Sequence, residues 1–262
     1  MLQQLKETVK HGPAAGADRP PARADWTIDQ GWDHYTAQEH AVWKTLFEQQ
    51  SRLLPGRSCD EFVRSMRDLP IGPEQIPNFE ALSDTLMNRT GWQTVAVPGL
   101  VPDDVFFAHL AYRRFPSGNF IRKPHELDYL EEQDAFHDVF GHVPMLMNPV
   151  IADYIQAYGE GGLRAKRLGA LEKLARVYWY TVEFGLVRQA DGLRAYGAGI
   201  ASSPSETVFC VESASPNRVR FDLDRVMRTR YRIDDLQETY FVLDHMDDLL
   251  ELAQKLEGMT RN

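Results

Sequence analysis

The sequence predicts a mainly α-helical fold with short β-strands, organised as a single domain, and three observations carry that prediction. Helix-start signals followed by apolar residues at helical spacing recur along the chain. Strand-like alternation is confined to a few short stretches. After an N-terminal segment rich in proline, glycine and alanine, no linker of comparable length interrupts the pattern.

That segment, His11 to Asp25, reads as a flexible arm, so residues 1–25 are assigned to the arm and residues 26–262 to the folded body. Thr36-Ala37-Gln38-Glu39 has the form of a capping box, in which hydroxyl and carboxylate satisfy the free amides of a helix start. Val42, Trp43, Leu46, Phe47, Leu53 and Leu54 follow it at helical spacing. Ser58-Cys59-Asp60-Glu61 has the same form and leads into Phe62, Met66 and Leu69. Asn78 is the candidate cap of a third helix carrying Phe79, Leu82 and Leu86, with Gly91 as its stop. Trp92 to Val97 alternates as a strand and ends at Pro98-Gly99. A helix is expected over 104–114, closed by Pro116 and Gly118, and Phe120-Ile121-Arg122 reads as a second short strand. Leu171 to Arg188 is the longest predicted helix, with Leu171, Leu174, Ala175, Tyr178, Val182 and Leu186 on one stripe. A further helix is expected between Leu236 and Leu256.

At 262 residues, with 43% hydrophobic and 26% charged residues, the chain is long enough to bury a core without a disulfide or metal staple. A net charge of −9 argues against a nucleic-acid-binding surface, which needs a basic face. The two cysteines, Cys59 and Cys210, lie far apart and outside any Cys-x-x-Cys, which fits a reducing compartment. The start, Met1-Leu2-Gln3-Gln4-Leu5-Lys6, has no apolar core of a signal peptide, and the most apolar window, Tyr178 to Val187, is too short to cross a bilayer. A cytoplasmic protein is the expectation.

His137-Asp138-Val139-Phe140-Gly141-His142 carries two histidines five positions apart. On an ideal α-helix residues i and i+5 diverge by about 140°, too far to meet at one ion. Gly141 and Pro144 offer an escape, because a helix can loosen or end there and swing His142 round. Glu183 is the only formal charge in Tyr178-Trp179-Tyr180-Thr181-Val182-Glu183-Phe184-Gly185-Leu186-Val187. A carboxylate on so apolar a segment needs a cation, a cluster of donors or a metal, because burying it unpaired costs several kcal/mol. Two imidazoles and one carboxylate form the ligand set of the iron(II) facial triad, and zinc accepts the same set. Ligand types leave both open, and with them a zinc hydrolase or a metal-stabilised binding protein.

With those blocks in view, the chain resembles the pterin-dependent aromatic amino acid hydroxylases, its bacterial members above all. Phe136 to Pro144, Tyr178 to Leu186, and Ala195-Tyr196-Gly197-Ala198-Gly199-Ile200-Ala201-Ser202-Ser203 carry the resemblance, with Arg122 and Asp134 in place upstream. It runs from about residue 30 to residue 245 and implies the catalytic-domain fold of that family. It further implies that His137, His142 and Glu183 ligate a mononuclear iron(II), and that Arg122 holds the carboxylate of an amino acid. A guanidinium fork suits that role. Asp134 would orient Arg122 and the substrate's ammonium end. Trp179 and Phe184 would wall the substrate pocket, and Ser202 would touch the substrate. Phe106 would stack on tetrahydrobiopterin or a related tetrahydropterin, with Gly99 and Val101 on the loop that bonds it through backbone. The implied reaction hydroxylates L-phenylalanine to L-tyrosine with O2, in phenylalanine catabolism. Tryptophan or tyrosine as substrate would differ only in pocket shape. The family often has proline where Gln133 stands here. Animal members carry a regulatory domain before the catalytic domain and an oligomerisation helix after it. The short Pro/Ala/Gly-rich arm leaves no room for the first, so a constitutively active monomer is expected.

Overall fold

The computed structural model describes residues 22–127, 132–233 and 235–258, so most of the expected arm, residues 1–21, lies outside the described residues. Asp25, at the end of that arm, is already tied down. Its carboxylate accepts from the Thr27 hydroxyl at 2.7 Å and pairs with Arg114 at 2.8 Å.

Helix α1, Ala37–Leu53, starts at the expected capping box, with the Thr36 hydroxyl and the Glu39 carboxylate each accepting the other's backbone N–H. Val42, Trp43 and Leu46 form its buried face. Helix α2, Asp60–Asp68, follows, but Ser58-Cys59-Asp60-Glu61 is no capping box, since the N-cap is Cys59 without a side-chain bond. Ser58 instead forms an isolated bridge with Ala195, and Cys59 N–H donates to the Ala195 carbonyl at 2.8 Å. Tertiary pairing has taken the groups that a local cap would use. Helix α3, Phe79–Thr90, has the expected Asn78 cap and ends at Gly91, whose φ of +75° is the left-handed conformation that glycine adopts freely.

Strand β1, Gln93–Val97, falls in the predicted window. Helix α4, Asp103–Ala111, is shorter than expected. Arg113 turns the chain at φ +53°, and Arg114–Gly118 forms strand β2, parallel to β1 with Pro116 opposite Val95. Pro116 and Gly118 therefore lie within a strand rather than closing a helix. Phe120-Ile121-Arg122 is not a strand: the Phe120 carbonyl accepts Ala135 N–H and Arg122 N–H donates to Asp134.

The longest helix among the described residues is one the sequence did not reveal: α5, Pro149–Arg167, with 19 residues. Its start was signalled by Asn148, whose side chain accepts Val150 N–H, and by Pro149 behind it. Gly159, Gly161 and Gly162 obscured the helical pattern further on. Helix α6, Leu171–Tyr178, passes directly into a π turn, Trp179–Glu183. The predicted helix to Arg188 ends there, and Leu186–Gln189 is strand β3. Gly185 marks the break, because a Cβ there would lie 2.2 Å from Cζ of Tyr196, and its carbonyl accepts Tyr196 N–H.

Strand β4, Gly192–Ala195, is followed by helices α7, Ala198–Ala201, and α8, Pro204–Glu212, strand β5, Asn217–Arg220, and helix α9, Leu223–Val226. The expected final helix is divided into strand β6, Thr239–Leu243, and helix α10, Asp248–Gly258. The sheet order is β4-β3-β6-β5, with β4 antiparallel to β3 and the other pairs parallel. Pairing across sequence-distant strands is what helical spacing over 236–256 could not reveal.

Helix α5 runs through the core and packs against α4 and α10. Its approach to α4 is close: a Cβ at Gly159 would lie 2.5 Å from the Ala111 backbone nitrogen. Gly159→Ala must therefore push two helices apart, and a loss of about 2–3 kcal/mol is expected. Urea unfolding with an unchanged m-value reads that loss, and an unchanged midpoint would refute the packing constraint.

Candidate metal centre

Phe136–His142 is wound as a π-helix. Its i→i+5 hydrogen bonding stacks residues five apart on one side, so His137 and His142 meet where an α-helix would separate them. The widening spans the whole stretch instead of beginning at Gly141. Gly141 serves it by close packing, since a Cβ there would lie 2.8 Å from the Ala198 carbonyl oxygen. Pro144 lies in a following 3₁₀ turn, Val143–Met147. The second π turn, Trp179–Glu183, ends on Glu183 and brings its carboxylate to the same point.

There the Nε2 atoms of His137 and His142 are 3.2 Å apart. Glu183 Oε1 lies 3.3 Å from His142 Nε2, and Oε2 lies 3.6 Å from His137 Nε2. All three residues are buried. Metal–ligand distances of about 2.1 Å require edges of about 3.0–3.4 Å between donor atoms. The 3.2 Å and 3.3 Å separations meet that range, and the 3.6 Å separation to the second carboxylate oxygen slightly exceeds it. The tautomer fits as well. The Ser202 hydroxyl donates to the Ala198 carbonyl at 2.8 Å, so its oxygen accepts Nδ1–H of His137 at 2.9 Å. That leaves Nε2 of His137 with its lone pair turned toward the carboxylate. Glu183 Oε1 is buried and accepts no hydrogen bond. The lone pair of His137 Nε2 and the Glu183 carboxylate thus converge beside His142 Nε2 at one buried point, an arrangement that a cation would stabilise.

Burial lowers the His137 pKa to about 4, which keeps the ring neutral, as a ligand must be. Burial opposes ionisation of Glu183, but the imidazoles of His142 and His137 outweigh it and hold the carboxyl near 2. Asp138, beside the first histidine, is half-buried, and desolvation pushes it up to about 7, with Gly118 N–H donating to its Oδ2 at 2.8 Å.

Arg122 and Asp134 form a buried, bidentate pair, Nε to Oδ2 at 2.8 Å and NH2 to Oδ1 at 2.9 Å. Asp134 also accepts the backbone N–H groups of Arg122 and His137, so both its oxygens are fully used. It joins the guanidinium to the first histidine, and an ammonium group would have to displace a donor to reach it. Beside the histidines lies a cleft whose walls include Gly99, Val101, Phe106, Asp138, His142 and Trp179. Phe106 faces the cleft partly exposed, whereas Phe107 is 2% exposed and packs on Tyr158. Trp179 lies between Phe184, at a ring separation of 4.7 Å, and Tyr231, stacked at 4.3 Å. Arg122, Phe184 and Ser202 do not line this cleft, and the Ser202 hydroxyl is taken by His137.

Asp138, Tyr231 and Gln237 were not recognised from sequence. Asp138 was legible as the acid next to a ligand in an apolar run, whereas Tyr231 and Gln237 have no local pattern to mark them.

A family model described as biopterin-dependent aromatic amino acid hydroxylase matches residues 32–261. The chain belongs to that family. Among its relatives, the phenylalanine-4-hydroxylase of Caulobacter vibrioides is 63% identical over 234 residues, 89% of this chain and 80% of that protein. The phenylalanine-4-hydroxylase of Ralstonia nicotianae is 58% identical over 250 residues, 95% of this chain and 80% of that protein. A crystal structure of the Chromobacterium violaceum phenylalanine hydroxylase, with bound iron(III) and oxidised cofactor 7,8-dihydrobiopterin, aligns with a TM-score of 0.87 at 56% identity. The alignment covers 91% of this chain and 88% of that one. In this hydroxylase the donor set, two imidazoles and a carboxylate, suits iron(II) with open positions.

If Ser202 sets the His137 tautomer, Ser202→Ala is expected to weaken iron(II) binding by about 10–100-fold while leaving the fold intact. Titration of iron-free protein measures it. An unchanged affinity would separate Ser202 from the metal centre.

Proposed function

We propose that this hydroxylase converts L-phenylalanine to L-tyrosine with O2, using iron(II) held by His137, His142 and Glu183 and a tetrahydropterin bound in the adjoining cleft. The observation that carries the reading is the buried Glu183 carboxylate, one oxygen of which has no hydrogen-bond donor, lying against the Nε2 atoms of both histidines. When bound, iron(II) and the tetrahydropterin supply the electrons that reduce O2 for insertion into an aromatic ring.

The chain's own residues provide position and dryness. Arg122 gives its Nε–NH2 edge to Asp134, while NH1 has only a 3.5 Å contact with the Leu127 carbonyl, so donors remain for the carboxylate of an amino acid. Asp134 acts by fixing that guanidinium rather than by meeting the ammonium group. Trp179 and Phe184 wall the aromatic ring and exclude water from it. Phe106 stacks on the pterin, and the backbone at Gly99 and Val101 hydrogen-bonds it. Ser202 acts in this reading through His137, not on the substrate.

Residues 26–262 form one catalytic domain in the same proposal, supported by a single apolar core that runs from Ile28 to Leu256. A cytoplasmic monomer is also proposed. The two buried free thiols, Cys59 and Cys210, favour a reducing compartment. The exposed large apolar side chains Met87, Tyr112, Leu168, Ile233 and Leu250 sit on separate segments, which favours a chain that works alone. No helix among the described residues is long and apolar enough to cross a membrane.

Incubation of the protein with iron(II), O2, a tetrahydropterin and each aromatic amino acid in turn tests the proposal. Tyrosine formed from phenylalanine, dependent on both iron and pterin, is the expected result, and its absence would overturn the reading. Glu183→Ala and His137→Ala are each expected to lose iron and turnover with the fold retained. Retained iron in either would refute the ligand set.

A further inference from the structure

The described residues between Met227 and Gln237, 227–233 and 235–237, lie along the π turn that carries Glu183 and bring Tyr231 to the wall of the cleft. They are pinned from that turn and the helix before it. Arg176 NH1 donates to the Met227 carbonyl at 2.7 Å, and the Tyr180 hydroxyl donates to the Arg230 carbonyl at 2.7 Å. The Tyr231 ring stacks on Trp179 at 4.3 Å with an interplanar angle of 15°. Trp179 Nε1–H donates to Gln237 Oε1 at 2.8 Å.

Gln237 is 3% exposed, and each end of its amide is engaged. Beyond the indole contact, its Nε2 donates to the carbonyls of Arg232 at 2.9 Å and Asp235 at 3.3 Å. Its backbone N–H donates to Glu206 Oε1 at 2.9 Å, and the other Glu206 oxygen accepts the Tyr240 hydroxyl. Only an amide offers an acceptor to an indole N–H and donors to two carbonyls from one side chain. The indole is thus held by the stacked Tyr231 ring, by the tilted Phe184 ring and by a single directional bond at its edge.

We infer that Gln237 is a positioning residue for the aromatic substrate: it fixes the tilt of the Trp179 indole and the seat of Tyr231, and through them the width of the substrate wall. The inference rests on the proposed role of Trp179 as that wall. Stacking alone resists separation of the rings but resists sliding and tilting weakly, so losing the edge bond widens the wall without dismantling it. The effect belongs to substrate binding and selection, because Gln237 has no bond to His137, His142 or Glu183 among the contacts that hold it.

Q237M keeps the bulk and removes every side-chain hydrogen bond, and Q237E keeps the acceptor for the indole without the amide donors. Iron-loaded Q237M is expected to show a KM for phenylalanine about tenfold higher, kcat within about twofold, and a tryptophan-to-phenylalanine kcat/KM ratio raised about fivefold. Calorimetry should show the Kd of phenylalanine rising in parallel, and Q237E should recover part of the loss. Folded, iron-loaded Q237M with unchanged KM, Kd and ratio would overturn the inference. So would a fall in kcat that merely tracks lost iron. Trp179→Ala distinguishes the two levels: if it raises KM while the Gln237 variants do not, only the inference fails. If it also leaves KM and Kd unchanged, the wall assignment beneath it fails.

Discussion

The constraint on which the rest of the structure depends is a carboxylate that is 2% exposed and has an oxygen without a donor. Taking such a charge out of water costs several kcal/mol unless an opposite charge meets it. Here the groups that meet it are the imidazoles of His142 and His137, the same pair that would share a bound cation with it. Much of the surrounding architecture keeps those three donors aimed at one point. Gly197 lets the loop before α7 pass so close beneath Glu183 that a Cβ would lie 2.3 Å from the Glu183 carbonyl oxygen. Ser202, at the end of α7, returns to hold the far side of the His137 ring.

Asp134 extends the same logic to the substrate side. Its two oxygens collect two backbone N–H groups and both donors of the guanidinium edge. A pair buried this completely is costly to form, and breaking it by removing one partner would leave an uncompensated charge worth about 3–5 kcal/mol. What it secures is a fixed geometry between Arg122 and His137, the carboxylate grip and the first metal ligand. The salt bridge links two parts of the site that lie on different segments.

How much of this was legible in the sequence follows from the range over which each signal acts. The cap at Thr36, the cap at Asn78 and the stop at Gly91 were legible because their partners lie within five residues along the chain. Ser58 was misread because its partner, Ala195, is remote and outcompetes the local cap. Strands β3 and β6 were read as helix, since Leu186 extends a helical stripe and nothing local shows that Leu186 and Val187 pair with Val242 and Leu243. The metal ligands were legible as chemistry, two imidazoles and an isolated glutamate in apolar surroundings. Their convergence was not, because five-residue spacing argues against a shared ion until the π winding is seen. The Arg122–Asp134 pair looks from sequence like any surface ion pair, and burial alone distinguishes it.

That winding needs support, because a π turn is rarely stable on its own and persists where packing enforces it. The support comes from the half of the chain with no ligand in it. Phe136 and Phe140, on the π stretch, stack at 4.7 Å. Trp43 and Phe47 of α1 meet Phe136 and Phe140 edge-on, and Phe62 of α2 packs against Phe140. From α1, Gln50 reaches the Ala201 carbonyl next to Ser202 and the Thr207 hydroxyl. The N-terminal helices thus bear on both sides of the His137 ring, through the aromatic residues beside it and through the segment that carries its hydrogen-bond acceptor. The widened helix holds two histidines together because its other residues, Phe136, Val139 and Phe140, are buried in that aromatic packing. A metal centre that looks local in sequence is therefore held in register by helices roughly ninety residues upstream, through packing and hydrogen bonds rather than through any ligand of their own.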